Sequence, residues 1–301
     1  MTIGFIGGSG IYEALPLSNT REEEIETPYG EPSAPVTIGE FGESETSETS
    51  RTDGTAVDTG HEVAFLPRHG PKHGRSPTNL PYRANIYAFK KLGVEYIFAS
   101  NAVGSLKEEL PPGTLVVPGQ IFDRTKHRTS TFFGDGVVVH QPITEPYSPE
   151  LVSHLTAAAE SVTDADVEEG GTYVCIEGPQ YSTRAESEFY RAQGWDVVGM
   201  TAVPEAKLAR EAEIAYATVA GVTDYDVWKR DHEVTLEEVL ENAEKNQEAI
   251  KRTVEEAIRT LPEEFECGAH TALEGTINTP ADAIPEQTRE RVDLLVGDYL
   301  D

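Results

Sequence analysis

The sequence predicts an α/β protein organised as one domain, and three observations carry that prediction. Short runs rich in β-branched and aromatic residues alternate with longer amphipathic stretches. The apolar run from Glu213 to Gly221 is followed at once by two carboxylates two residues apart, Asp224 and Asp226. It reads as a buried strand, so both acids emerge at a strand's C-terminal end, where open α/β sheets bind ligands. No clear linker divides the 301 residues, a length that fills one large α/β domain or two modest ones.

The first expected strand, residues 3–6, runs into a glycine-rich turn. Further strands are expected at 63–66, 96–100, 115–117, 173–176 and 215–222, each a short and mainly apolar run. Helices are expected at 82–92, 149–161, 185–192, 204–213 and 236–259. The last begins at Thr235 with Glu238 three residues on, a capping-box spacing. Residues 42–60 are low-complexity and acidic and read as a solvated surface insertion. Beyond Pro262 the pattern is irregular until a final amphipathic helix at 285–300. The expected organisation is a main domain over 1–262 and an extension over 263–301 packed on it, with no internal repeat.

The 53 acidic side chains outnumber 24 basic ones, for a formal net charge of -29. Such a surface repels phosphates, which excludes nucleic acid and anionic membranes as expected partners. The acids are spread along the chain and lysine is scarce, which suggests adaptation to a salt-rich cytoplasm where self-repulsion is screened. Cys175 and Cys267 are the only cysteines, too few for a disulfide framework or a zinc site. The N-terminus has no basic leader and no apolar run approaches the ~20 residues of a membrane span, so a cytoplasmic protein is expected.

Five further segments carry candidate chemistry. Gly7-Gly8-Ser9-Gly10 follows the first strand and offers an anion-binding nest, with Ser9 adding a donor. It lacks the spacing of a dinucleotide site and the lysine of a Walker loop, and alone it equally fits a tight turn needing positive φ. Arg68-His69-Gly70-Pro71-Lys72-His73-Gly74-Arg75 gathers cationic and imidazole groups in a chain with few bases to spare. Arg68 provides a planar fork suited to phosphate, and His69 a further donor. Ser100–Leu106, Glu177–Ser187 and Val198–Glu205 are each compatible with a ligand loop or a plain loop–helix junction.

Together and in order, these segments resemble the nucleoside phosphorylase family, in its methylthioadenosine phosphorylase branch. The matching motifs are Gly-Gly-Ser-Gly-Ile, Arg-His-Gly with a second His four residues beyond the first, Asn-Ala-Val-Gly-Ser-Leu, Glu-Gly-Pro-x-Tyr-Ser-Thr-Arg-Ala-Glu-Ser, Gly-Met-Thr-x-x-Pro-Glu and Thr-Asp-Tyr-Asp-x-Trp. They extend over residues 2–260 apart from the acidic insertion. The resemblance implies a central mixed β-sheet flanked by helices, in a homotrimer or a dimer of trimers. It implies phosphorolysis, with inorganic phosphate as co-substrate and neither metal nor organic cofactor. Phosphate would be held by Ser9, Arg68, His69, Asn101, the Ala102 N–H and Thr201. Met200 would pack on the ribose, Tyr181 and Ser182 beside the base, and Asp224 and Asp226 would read it. His140 would reach the 5′ substituent from a neighbouring subunit, and Leu236 would line the 5′ pocket. A halophilic archaeon is the expected source. Cys267-Gly268-Ala269-His270 resembles a cysteine pair of some archaeal relatives but lacks its second cysteine, so no disulfide is expected.

The chemistry agrees with this on its own terms. Cleaving an N-glycosidic bond builds positive charge on the ribose and negative charge on the departing purine. Phosphate stabilises the first, and a protonated carboxyl near N7 relieves the second. The expectation is that Asp224 holds that proton, its pKa raised by burial and by Asp226. A 6-amino group donates to a carboxylate where a 6-oxo group would oppose it, so the pair favours adenine. A 6-oxopurine or methylthioinosine phosphorylase remains the alternative. A nicotinamide-dependent oxidoreductase and an acidic interaction protein are weaker ones: the first lacks the glycine spacing, and the second leaves the basic cluster unexplained.

Overall fold

The computed structural model describes residues 1–8, 11, 15–42, 60–229 and 235–300, except the side chain of Glu238. The expected acidic insertion, apart from its end residues, lies outside these, and so do Ser9 and Gly10 of the first turn.

One mixed sheet runs through the molecule. In chain order its strands are β1 (Thr2–Gly7), β2 (Leu17–Glu23), β3 (Val36–Phe41), β4 (His61–Pro67), β5 (Val94–Ser105), β6 (Leu115–Val117), β7 (Gln120–Asp123), β8 (Val167–Glu169), β9 (Thr172–Cys175), β10 (Val197–Gly199) and β11 (Ala215–Asp224). Its spatial order is β2-β3-β4-β1-β5-β10-β9-β7, with β11 also on β5, then β6 and β8. Among the described residues six α-helices accompany it: α1 (Tyr82–Lys91), α2 (Pro149–Val162), α3 (Arg184–Ala192), α4 (Ala202–Glu211), α5 (Leu236–Thr260) and α6 (Glu286–Val296). The parallel strands β1, β4 and β11 are almost wholly buried, as strands covered on both faces must be. Helices α2 and α5 pack on each other and on β11, and α1 packs on α4. Val292, Leu295, Val296 and Leu300 join the same core from the C-terminal region.

The expected elements all appear, with shifted ends. The helix expected at 204–213 is bounded at Ala202 and Glu211, but Val203 is extended (φ -114, ψ 134), so regular helix begins at Pro204. The final helix stops at Val296 and ends in a 3-10 turn over Gly297–Tyr299. Strands β2, β3, β7, β8 and β10 were not among those expected. β8 and β10 have three residues each, too few for a period, and β2 is mostly exposed and reads as polar.

One difference shapes the site. The segment expected to be a loop after residue 100 continues as strand to Ser105. Up to Ala99, one edge of β5 pairs with β1; at Gly104 and Ser105, β10 pairs antiparallel instead. The other edge is occupied by β11 from Tyr96 to Gly104. Among the described residues, no strand covers the first edge between Ala99 and Gly104, and the sheet opens there over Ser100–Val103.

Candidate active site

At one end of this opening the ends of β1 and β4 converge on Ser100 of β5. Gly8 donates its N–H to Ser100 Oγ at 2.8 Å, and the Arg68 N–H donates to Gly7 O at 2.9 Å. A Cβ on Gly8 would stand 2.3 Å from the Ser100 carbonyl oxygen, so close approach, rather than a positive φ, requires glycine there.

Arg68 is 1% exposed, the largest of the fully buried side chains. Its Nε and Nη2 donate to the two Glu205 oxygens at 2.7 and 2.6 Å, and Nη1 donates to Ser100 O at 2.7 Å. The Tyr216 hydroxyl donates to Glu205 Oε1 at 2.7 Å. Burial pulls the guanidinium pKa down, but Glu205's charge and hydrogen bonds outweigh it and leave it raised. The fork expected to face a ligand is thus closed on Glu205, whose role no sequence signal revealed; the second N–H of each Nη remains. His69 is also buried, and its Nδ1 lies 3.0 Å from Arg75 O. A carbonyl only accepts, so Nδ1 carries the proton and Nε2 of the neutral ring is an acceptor. Burial pushes His69 down to about 4, opposed by the Arg75 carbonyl and assisted by Arg68 and by His73, stacked on it at 4.1 Å. Lys72 and His73 stay at the surface, so the basic cluster divides in two.

Asn101 and Thr201 meet across the opening: Asn101 Nδ2 donates to Thr201 Oγ1 at 2.7 Å. Peptide groups alternate between a strand's edges. Since Ser100 O points to Arg68, the Ala102 N–H points to the same open edge.

At the other end stand the acids. Thr223 Oγ1 donates to Asp224 Oδ2 and the Asp226 N–H donates to Asp224 Oδ1, both at 2.7 Å. A Cβ on Gly104 would stand 2.8 Å from Asp224 Oδ1, so the acid packs flat on β5. Asp226 is the less satisfied carboxyl. Burial pushes its pKa up to about 6, and Asp224's charge adds to the rise. Ser187, Ser182 and the Val227 N–H pull the other way, yet Asp226 Oδ2 and both serine hydroxyls lack a hydrogen bond of good geometry. Three buried orphan polar atoms grouped at a strand end mark a place where a ligand's polar edge fits. Tyr181, 41% exposed, stands beside them, with Asp224's charge and burial both raising its phenol.

Residues that were not expected in the site fix this geometry. Asn242 and Asn246 of α5 donate to Thr223 O and Val222 O at 2.6 and 2.9 Å. Trp228 Nε1 donates to Ser105 O at 2.8 Å, and the Arg191 guanidinium lies 3.3 Å from the Trp228 ring centroid. Between the two ends, Arg128 donates to Met200 O, Val203 O, Glu177 O and Tyr82 Oη. It thereby ties the Glu177–Gly178 turn to the segment carrying Met200 and Thr201. Met200 packs over Gly178 (φ +66), where a Cβ would meet its sulfur at 2.5 Å.

Two expected site residues are exposed. His140 is exposed, its N–H donating to Thr276 O at 2.9 Å, and no described hydrogen bond joins it to the opening. Leu236 opens α5 at 63% exposure, one turn from Leu240 at 54%. Ser9 lies outside the described residues, and so does the Glu238 carboxyl of the expected capping box.

The profile of the Phosphorylase superfamily matches residues 2–259. An S-methyl-5′-thioadenosine phosphorylase of Koribacter versatilis is 46% identical over 99% of this chain and 96% of its own. The crystal structure of a methylthioadenosine phosphorylase from an antarctic soil metagenomic library superposes with a TM-score of 0.87 at 45% identity, covering 97% of this chain and 98% of that one. A methylthioadenosine phosphorylase from Schistosoma mansoni in complex with adenine gives 0.74 at 35%, covering 85% and 90%. Relatives from sources this varied lend no support to an archaeal halophile as the source. Opened sheet, buried acid pair and near full-length identity lead to one conclusion: the chain belongs to the phosphorylase superfamily.

Proposed function

We propose that this enzyme catalyses the reversible phosphorolysis of S-methyl-5′-thioadenosine to adenine and 5-methylthioribose 1-phosphate. The observation that carries the reading is the unequal acid pair at the end of β11: one carboxylate held by two donors, the other buried and ready to keep a proton. Asp224, with its acceptor character fixed, receives the 6-amino group of adenine. Asp226 is the better host for the proton that the sequence assigned to Asp224, and it delivers that proton to N7 as the bond to C1′ breaks. Orphan hydroxyls on Ser182 and Ser187 complete the polar edge, with Tyr181 on the base face and Met200 against the ribose.

Phosphate sits in the opening of β5 and attacks C1′. Asn101, Thr201, the Ala102 N–H and the remaining Arg68 N–H groups donate to it, with Ser9 from the first turn. His69 Nε2 meets a phosphate oxygen only with a proton between them. His69 is itself neutral above its pKa of about 4, so that proton arrives on the phosphate as its monoanion, and phosphate affinity is expected to fall as the pH rises above neutrality. Calorimetry in buffers of differing ionisation enthalpy reads the proton taken up; no proton uptake would remove His69 from the site.

The reaction needs no metal or organic cofactor. A homotrimer or dimer of trimers in the cytoplasm follows the same reading: exposed His140, Leu236 and Leu240 suit completion of the 5′ pocket from a neighbouring subunit. The charge of -29 supports work at high salt, and no nucleic-acid or membrane partner. No helix among the described residues is long and apolar enough to cross a membrane.

The test is phosphate-dependent base release from methylthioadenosine, adenosine, methylthioinosine and inosine in parallel, at high and low salt. Adenine released mainly from methylthioadenosine is the expected result. Preferential release of hypoxanthine would transfer the assignment to a 6-oxopurine phosphorylase with the same fold.

A further inference from the structure

Thr218 lies in the middle of β11, wholly buried, and no motif singled it out. In the register of β11 on β5 it pairs with Ala99, which makes it the diagonal neighbour of Asn101 on the same sheet face. Its Oγ1 stands 2.5 Å from Asn101 Oδ1 and 3.0 Å from Ala99 O. Asn101 Nδ2 stands 2.7 Å from Thr201 Oγ1.

We propose that Thr218 is a positioning residue for the phosphate site: its hydroxyl fixes the Asn101 amide, and the amide commits the Thr201 hydroxyl to donating outward. This rests on the phosphate reading given above. The Thr218 hydroxyl donates to Asn101 Oδ1, so the amide oxygen faces Thr218. The amide nitrogen then faces Thr201 and donates to it. With its oxygen accepting from Asn101, the Thr201 hydroxyl proton is left for another acceptor, the buried Tyr173 oxygen beside it or an anion in the opening, and the charged anion is the stronger of the two. Were the amide reversed, its –NH2 would donate to Thr218, Thr218 would donate to Ala99 O, and the amide oxygen would take the Thr201 proton. Both states satisfy their buried groups, but only the first presents two donors to phosphate, the Thr201 O–H and the second Asn101 N–H.

Thr218→Val keeps the shape and removes the hydroxyl. The Asn101 oxygen then has no donor except Thr201, and the amide turns to take it. Phosphate binding, read by calorimetry on the whole enzyme, is expected to weaken roughly ten- to a hundred-fold, the worth of a hydrogen bond to a charged group. The phosphate KM rises in parallel, while the nucleoside KM and kcat at saturating phosphate change little. Thr218→Ser restores the donor and wild-type binding. In Thr201→Val one of the two donors is already gone, so adding Thr218→Val should cost less than it does in the wild-type background. Thr218→Ala runs the same cycle should the valine variant fail to fold. Wild-type phosphate affinity in Thr218→Val, or costs that simply add in the double variant, would overturn the relay while leaving the phosphate site in place. A wild-type enzyme that binds no phosphate would overturn the site itself.

Discussion

Asp226→Asn is expected to lower kcat by two to four orders of magnitude, the usual worth of a positioned general acid, while phosphate binding at the far end of the opening is retained. The wild-type pH profile carries the same information. Asp226 is competent when protonated, and its pKa in the free enzyme is pushed up to about 6. The protonated fraction shrinks as pH rises, so kcat/KM for methylthioadenosine should fall on the alkaline side of about 6, and Asp226→Asn should abolish that limb. Asp224→Asn is expected to act on the choice of base: it turns half of an acceptor into a donor, weakening use of 6-aminopurines relative to 6-oxopurines. Loss of the alkaline limb in Asp224→Asn, with the limb retained in Asp226→Asn, would return the proton to Asp224.

The second large effect is on stability. Arg68→Ala removes one member of a buried ion pair and leaves the Glu205 carboxylate without its fork. Breaking such a pair costs about 3–5 kcal/mol, which in a domain of this size lowers the melting temperature on the order of 10 °C. Replacing the whole cluster by apolar groups (Arg68→Met with Glu205→Leu and Tyr216→Phe) should recover most of that stability, since no buried charge remains unpaired. Phosphate binding should stay lost in both variants. Thermal melts with phosphate titrations separate the two effects. Unweakened phosphate binding in Arg68→Ala would make the guanidinium scaffold alone.

The long apolar runs were legible in the sequence because each carries its own period: β4, β11, α2 and α5 lie within a few residues of where the pattern puts them. So was the place where the two acids emerge, since acids after a buried strand point to one end of a sheet. What stayed hidden is what depends on distant partners. Arg68 and Glu205 are 137 residues apart, and nothing local in either segment says that the fork will close on a carboxylate. The Asp pair shows the same limit. Spacing announces two carboxyls, but which one keeps a proton depends on Thr223, Ser182, Ser187 and the backbone turn between them. Arg128 reads as one base among several, although its guanidinium bonds segments 46 to 75 residues away. β10 was missed because its two valines are followed at once by Gly199, leaving no apolar run to read, and without it the opening in β5 could not be foreseen.

That opening constrains what can vary. Ser100, Asn101, Ala102 and Gly104 serve both halves of the site from one uninterrupted strand, each by facing a particular edge or face of the sheet. Exchanging one side chain for another leaves those directions intact. Adding or deleting a single residue between Ser100 and Gly104 reverses every direction beyond it: Asn101 or Ala102 turns to the wrong side, and Gly104 no longer lies beneath Asp224. The length of this stretch therefore constrains the candidate site as much as its composition does, for a ruler four peptide units long, from Ser100 to Gly104, sets the spacing between Arg68 at one end and Asp224 at the other.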